Sequence, residues 1–340
     1  MSSYFPIILL IFVVAGILKN YNIRTSKGNF SYDSDKVRSL CNEGSFEEAI
    51  EYIEKRLKKA PESDFLYNEK GCIFVQMQKP DDAILCFNKA VEIQPGIGNY
   101  YINLCWAYNS LGNCEKALYF ADKALEINSD NIKAVINKGD ILLAIENYTD
   151  AIEVYKRVLD LNSENMDPYW GLGMSYYQLE NYDESLKQFQ VILKRSPNEI
   201  RAYVFLGRIY FIQKRYQEQI EIYNKVIKIN SKLPWVYYAK GYSLCYLQEF
   251  PAALKCYDKA LELNPEYAEV YYEKACVYAV FRQKDEALTA LGKAIKYNQK
   301  YRETVWDDDY LNNIKFYSEF KDLAPLAIPG EKRDLGSLKV

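Results

Sequence analysis

The chain has 340 residues, in which 43 Lys and Arg nearly balance 46 Asp and Glu. With a net charge of only -3, no whole-chain electrostatic field would concentrate nucleic acid or an acidic membrane surface around the protein. The sequence contains no histidine, and so lacks the usual general base near neutral pH, the usual partner of a Ser or Cys nucleophile and the commonest zinc ligand. Nucleic-acid binding is therefore not expected, and histidine-dependent catalysis is excluded.

The eight cysteines are spread along the chain without forming a C-x-x-C pair. This spacing argues against a metal cluster, and we expect neither a metal nor a cofactor. Most of the cysteines occupy apolar positions of the repeat described below, where a free thiol behaves as a small hydrophobic group. Free thiols are typical of a reducing compartment, which favours a cytosolic location.

Residues 1–18 carry no charged side chain and include an unbroken apolar run, Ile7 to Leu18. As a helix, 18 residues would span roughly 27 Å, close to the hydrocarbon thickness of a bilayer. The first basic side chains, Lys19, Arg24 and Lys27, follow the run instead of preceding it as they would in a secretory signal. We therefore expect a single-pass anchor through residues 4–18, with the rest of the chain in the cytoplasm.

Two other interpretations of this segment stay open. Val13-Val14-Ala15 would serve as a cleavage site if the segment were a signal peptide, which would make the protein an exported or periplasmic assembly factor. Alternatively, the segment is a buried helix that covers the first repeat.

After the leader, small and large residues recur with a period of 34. The first small series is Gly71, Cys105, Gly139, Gly173, Gly207, Gly241 and Ala275. Twelve positions further on lies a second series in which only Gln219 is large, namely Ala49, Ala83, Ala117, Ala151, Ser185, Gln219, Ala253 and Ala287. Large residues, mostly aromatic, stand four before and three after the first series, and an aromatic series (Phe87, Tyr155, Phe189, Tyr223 and Tyr257) stands four after the second. This pattern predicts a helical hairpin, because the small residue lets two helices approach while the aromatic side chains fill the adjoining groove.

Each unit ends in a helix breaker, such as Gln94-Pro95, Asn128-Ser129 or Asn264-Pro265, where Pro or a polar capping residue stops one helix and starts the next. These residues resemble the tetratricopeptide repeat family, whose 34-residue unit has the same order of large and small positions and a Pro near its end. The resemblance implies an all-α, right-handed superhelical solenoid of helix-turn-helix repeats. In this register eight repeats occupy residues 30–301, the first repeat degenerate. They follow the hydrophobic anchor or signal and a linker, which we assign to residues 1–29.

Beyond the repeats, residues 302–324 look like the closing helices of such proteins, whose outer face has no neighbour to cover it. Residues 325–340 show little periodicity and are predicted to form a flexible tail.

In this family the first helices of successive repeats line a concave groove that holds a peptide or a helix. The resemblance implies a polar N-terminal half of the groove, formed by Asn68, Asn103, Lys133 and Asn137. It implies an aromatic and basic C-terminal half, formed by Trp170, Arg201, Arg208, Trp235, Tyr238, Tyr242, Tyr246 and Tyr272. Aromatic residues and Arg are common at interface hot spots, although with 32 tyrosines in the chain any one ring can instead pack between repeats.

Some family members grip a C-terminal carboxylate with Lys, Asn, Asn, Lys and Arg. The corresponding residues here are Asn68, Cys72, Asn103, Lys133 and Asn137, so only two of five match and two of three cations are lost. Such a clamp is not expected, because the charge-assisted hydrogen bonds would be missing.

The sequence thus predicts a membrane-tethered scaffold that binds a protein or peptide partner and is not an enzyme, because no stretch outside the repeats is long enough to fold as a catalytic domain. The regulatory subunit of an enzyme is a further alternative.

Overall fold

The computed structural model describes residues 34–325. These residues form α-helices and one short 3-10 helix, and no strand occurs among them, so the predicted all-α class is confirmed. The predicted anchor and linker, residues 1–29, and nearly all of the predicted tail, residues 325–340, lie outside the described part. Within the described part, no helix has both the length and the apolar character needed to cross a bilayer.

Contacts divide the chain into two compact units, one ending at Gln188 and the other beginning at Phe189. The N-terminal unit is built of helical hairpins, in which each first helix packs against the helix that follows it. Its helices are α1 (Ser34–Asn42), α2 (Phe46–Leu57), α3 (Asp64–Gln76), α4 (Pro80–Ile93), α5 (Gly98–Ser110), α6 (Cys114–Ile127), α7 (Ile132–Ala144), α8 (Tyr148–Leu161) and α9 (Asp167–Gln178), and the division between the units falls inside α10 (Tyr182–Arg195).

The C-terminal unit continues the hairpins and ends in three short helical pieces. First helices begin at Ile200, Pro234 and Ala268, with the 34-residue spacing of the sequence period. The elements are α11 (Ile200–Ile212), α12 (Tyr216–Ile229), α13 (Pro234–Tyr246), α14 (Phe250–Leu263), α15 (Ala268–Val280), α16 (Lys284–Tyr297), α17 (Tyr301–Thr304), the 3-10 helix (Asp309–Leu311) and α18 (Ser318–Leu323).

The glycines of the first small series let an aromatic ring of the second helix lie directly against the backbone of the first. A Cβ added at Gly71 would lie 2.4 Å from the ring of Phe87, and one at Gly241 would lie 2.6 Å from the ring of Tyr257. Both rings are fully buried. Any larger residue would therefore push the two helices of the hairpin apart.

Two members of the first small series are not glycine, and no aromatic ring stands opposite them. Cys105 packs in the same cluster as Ala121, and Ala275 packs in the same cluster as Leu291. The volume added on the first helix is matched by volume removed on the second. These exceptions to the glycine series therefore keep the core filled.

The turn inside each hairpin depends on one residue in the left-handed backbone region. Only two of the eight positions carry glycine; the set is Gly44, Gln78, Gly112, Glu146, Glu180, Lys214, Gln248 and Arg282, with φ between 57° and 79°. The turn closes with a helix-capping bond, as in the N–H of Asn147, which donates to the carbonyl of Leu142 at 2.8 Å.

Asparagine side chains form turns between successive hairpins, at the predicted ends of the repeats. The side-chain oxygens of Asn128, Asn162, Asn230, Asn264 and Asn298 each accept a hydrogen bond from the backbone N–H two residues further on, at 2.9–3.3 Å. This turn gives the backbone a partner other than the helix ladder, which ends the second helix.

Gln219 is the one large residue of the second small series. Its polar side chain can be buried because each of its polar atoms is hydrogen-bonded. Its amide nitrogen donates to the carbonyl of Gly207 at 2.8 Å and to the hydroxyl of Tyr223 at 3.2 Å, and its oxygen accepts from Ser243. Ser185 likewise donates to the carbonyl of Gly173 at 2.7 Å. Polar residues at this position thus bond to the facing first helix.

The last hairpin is covered by the segment that the sequence assigns to closing helices, although only short pieces of it are helical. Leu311 and Phe320 are fully buried against Leu291. The indole N–H of Trp306 donates to the carbonyl of Ala324 at 2.9 Å, which fixes the end of this segment to its beginning.

Candidate functional site

The polar residues predicted for the N-terminal half of the groove bond to one another. The amide nitrogen of Asn103 on α5 donates to the amide oxygen of Asn68 on α3 at 2.7 Å, and both amide nitrogens lie 3.9 Å from the sulfur of Cys72. The structure therefore brings Asn68 and Asn103 together, but part of the hydrogen-bonding capacity predicted for a ligand is used between the helices.

The next predicted pair lies on α7. The half-buried side chain of Asn137 hydrogen-bonds the thiol of Cys105, and burial raises the pKa of that thiol to about 12 in spite of the bond. Lys133 is exposed. Lys133 is the one cation of the carboxylate clamp that this chain keeps, and the neutral Asn137 does not supply a second.

Two carboxyl groups, those of Glu69 and Asp140, lie on the same first helices as these polar residues. Glu69 on α3 is only 4% exposed, and burial raises its pKa to about 7, while the charge of Arg38 opposes the shift. Burial also raises the pKa of Asp140 on α7 to about 7, although Tyr155 donates a hydrogen bond to its Oδ1 at 2.6 Å. Both groups stand close to their ionisation point at neutral pH.

In the C-terminal unit, four rings from α11, α12 and α13 form what we call the aromatic cluster: Phe211, Tyr216, Tyr242 and Tyr246. Tyr216 stacks on Tyr246 with ring centroids 4.7 Å apart, and Phe211 lies 5.6 Å from Tyr242 and 5.4 Å from Tyr246. Tyr246 is still 48% exposed. Two predicted residues, Tyr242 and Tyr246, are thus brought together at the surface.

Tyr238, one helical turn before Tyr242, connects this cluster to the next hairpin. Its ring centroid lies 6.1 Å from that of Tyr242 and 5.4 Å from that of Tyr267. Burial raises the pKa of Tyr238 far above its ordinary value. Tyr238 is thus the half-buried end of a row of rings, and Tyr246 at the other end is exposed.

Tyr272 begins a second group on α15. Its ring stacks on Tyr301 with centroids 4.4 Å apart, and its hydroxyl donates to the carboxylate of Asp308. Burial raises the pKa of the adjacent Glu273 to about 7, and the nearby charge of Asp308 raises it further. Among residues 34–325, Glu273 has no hydrogen-bond or ion-pair partner.

The other residues predicted for the aromatic and basic half of the groove are Trp170, Arg201, Arg208 and Trp235. Trp235 lies edge-on to Tyr223, with centroids 6.1 Å apart. Arg201 binds the carboxylate of Glu199 at 2.9 and 3.1 Å. Trp170 and Arg208 are half-buried on their helices.

Sequence reasoning missed Glu69, Glu273, Tyr301 and Asp308. A signal for the two glutamates was present, because they occupy the same position of the 34-residue register as Asn103 and Asn137. Tyr301 and Asp308 follow the last complete hairpin, where the register no longer assigns a facing side.

Comparison with known families agrees with this architecture. Family profiles described as TPR repeat or tetratricopeptide repeat match residues 66–97, 139–180, 171–234, 234–267 and 256–289, which together cover just over half of the chain. The chain belongs to the tetratricopeptide repeat proteins.

Two curated plant proteins are similar to parts of the chain. A FAM10 family protein of Arabidopsis thaliana is 30% identical over 104 residues, which cover 30% of this chain and 24% of that protein. Hsp70-Hsp90 organizing protein 2 of the same plant is 30% identical over 87 residues, which cover 26% of this chain and 15% of that protein. The similarity thus spans at most about a quarter of either relative.

Among solved structures, a tetratricopeptide repeat protein from Parabacteroides merdae matches 69% of this chain and 93% of its own, with a TM-score of 0.52 and 20% identity. This likeness supports the tetratricopeptide solenoid class.

Proposed function

We propose that this chain is a protein-interaction scaffold, and that it binds a peptide or helix of a partner on the first-helix faces of its repeats. The observation that carries the proposal is the aromatic cluster, in which stacked rings reach the surface at Tyr246, 48% exposed. Rigid rings that are packed on one side and open on the other bind at a low cost in conformational entropy. Hsp70-Hsp90 organizing protein 2, which is named for organising two other proteins, supports this assignment by its similarity.

The reactive side chains of the described residues support binding over catalysis. Burial raises the pKa of the thiols of Cys86 and Cys245 to about 11 and that of Cys105 to about 12. Such thiols are almost wholly protonated at neutral pH, and a thiol is a poor nucleophile compared with its thiolate.

The test is selection of binders from a phage-displayed library of random dodecamer peptides on the full chain. We expect selected peptides to bind the Tyr242→Ala and Tyr246→Ala double variant at least about tenfold more weakly in fluorescence anisotropy. Tyr119→Ala, which removes a tyrosine that is 56% exposed on α6, is the matched control. Unchanged affinity in the double variant would count against this surface, and failure to select any peptide would count against the function.

We further propose attachment to a membrane through residues 4–18, with the repeats in the cytoplasm, which the uncharged stretch at residues 1–18 supports. The full chain should then stay in the membrane pellet after carbonate extraction, whereas a chain that starts at Asn29 should stay in the supernatant. Full-length protein in the supernatant would contradict the proposal. Labelling of its thiols by an impermeant reagent in intact cells would favour the exported alternative.

A further inference from the structure

One face of α15 combines carboxyl groups with a tyrosine ring. Glu269, Tyr272, Glu273 and Cys276 are spaced by three or four residues and so share a helical face. Asp308, which precedes the 3-10 helix, accepts the hydrogen bond of the Tyr272 hydroxyl beside this face.

Rings approach Glu273 from two other helices. Burial raises the pKa values of Tyr238 and Tyr242 on α13 and of Tyr301 on α17, and the charge of Glu273 raises all three further. Tyr310 on the 3-10 helix, which is 63% exposed, also raises the pKa of Tyr242 through its charge. We call these residues the tyrosine–glutamate surface: Tyr238, Tyr242, Tyr272, Glu273, Tyr301 and Tyr310.

An ionised Glu273 is unfavourable in the free protein. The side chain is half-buried, the carboxylate of Asp308 is the one described charge that shifts its pKa, and no described residue bonds to it. A half-buried, ionised carboxyl without a partner loses part of its hydration and is unfavourable compared with a neutral side chain of the same size. A cation supplied from outside the chain would give it the missing partner.

The rings favour the same occupant. The face of an aromatic ring carries negative potential and attracts cations within about 6 Å of its centroid. Tyr272 and Tyr301 are stacked with centroids 4.4 Å apart, and the centroids of Tyr238 and Tyr242 lie 6.1 Å apart with planes inclined by 30°. The ring faces and the carboxyl groups therefore both favour a bound cation.

We propose that the tyrosine–glutamate surface binds the guanidinium group of an arginine in the partner segment, stacked on tyrosine rings and hydrogen-bonded to the carboxylate of Glu273. The proposal rests on the scaffold function and specifies the chemistry of its ligand. Arginine fits better than lysine because its planar group both stacks on rings and matches the geometry of a carboxylate, and because it is more weakly hydrated than an ammonium group.

The direct test uses N-acetyl-arginine amide as the probe, with its affinity for the full chain measured at pH 8 by saturation-transfer difference NMR. N-acetyl-citrulline amide has nearly the same shape without the charge, and should bind at least about fivefold more weakly. Glu273→Gln should weaken binding of the arginine probe by a similar factor, whereas Glu266→Gln, at an exposed position, should not. Equal binding of arginine and citrulline, or an unchanged affinity in Glu273→Gln, overturns the proposal. Tighter binding of N-acetyl-lysine amide overturns the choice of guanidinium.

The peptides selected on the full chain separate this proposal from the function on which it rests. We expect them to be enriched in arginine and to bind Glu273→Gln more weakly than the unaltered chain. Selected peptides that lack arginine enrichment and bind Glu273→Gln equally well would refute the arginine site and leave the scaffold function standing. Circular dichroism of each variant shows whether its helices are intact.

Discussion

Replacing Glu69 by glutamine should stabilise the N-terminal unit at pH 8 and leave its stability nearly unchanged at pH 4.5. Glu69 is 4% exposed, and among residues 34–325 it has no hydrogen-bond or ion-pair partner. Its surroundings are Arg38 and Cys41 on α1 and Tyr100 on α5, all of which interact with it electrostatically. Of these groups, only Arg38 is a cation, and it is exposed.

The sign follows from the direction of the pKa shift. Burial raises the pKa of Glu69 from 4.5 to about 7, so between these values the folded protein holds a proton that the unfolded chain has released. Stability therefore falls as the pH rises through this window, and is lowest with respect to this group above pH 7. A rise of the pKa from 4.5 to about 7 corresponds to about 3 kcal/mol. Glutamine stays neutral at every pH and should recover about that amount at pH 8.

The assay is urea unfolding followed by far-ultraviolet circular dichroism at pH 8 and at pH 4.5, together with hydrogen exchange of α3 amides measured by mass spectrometry. Comparing variant with unaltered protein at each pH removes the intrinsic dependence of exchange on pH. Glu62→Gln, at an exposed position, is the matched control and should change little. An equal gain at both pH values, or no gain at pH 8, would refute the assignment of Glu69 as a buried carboxyl that ionises near pH 7.

Three other substitutions test the packing rules, each by urea unfolding. Lys214→Gly should stabilise by about 1 kcal/mol, because Lys214 has a φ of 58° that glycine adopts without strain. Gly241→Ala should destabilise by about 1–2 kcal/mol, because the new methyl would overlap the buried ring of Tyr257; Gly96→Ala, with nothing within 4 Å, should not. Gln219→Ala should cost about 2 kcal/mol, because it leaves the carbonyl of Gly207 without its side-chain donor and opens a cavity.

The fold was predictable because its determinants repeat. A residue such as Gly71 has its partner, Phe87, at a fixed distance along the chain, so spacing alone identifies the pair. The same logic extends to Cys105 with Ala121, where both volumes change together. Period and residue size are enough to specify a hairpin that packs only on its neighbours.

The site was less predictable, because the position of a residue in the repeat indicates which face of the helix it occupies but not which residues it contacts. Asn68 and Asn103 face as expected, yet they bond to each other across 2.7 Å. Gln219 breaks the size rule and is accommodated by hydrogen bonds to groups on three helices. The surroundings of Glu273 include Tyr301, the last residue of the repeats, and Asp308, which lies beyond them.

The two unpaired glutamates and the two asparagines at the same register position show what the fold itself requires there. Asn103 and Asn137 occupy it with an amide that finds a partner on the preceding first helix, so packing does not demand a charge. Glu69, which is buried, and Glu273, which is half-buried, instead keep a carboxyl whose pKa is raised and which lowers stability once it is ionised. Asp140 differs from both, because Tyr155 already donates to its carboxylate at 2.6 Å. A stability gain in Glu69→Gln or Glu273→Gln therefore measures what an unpaired carboxyl costs the free protein, and a bound cation would have to offset that cost.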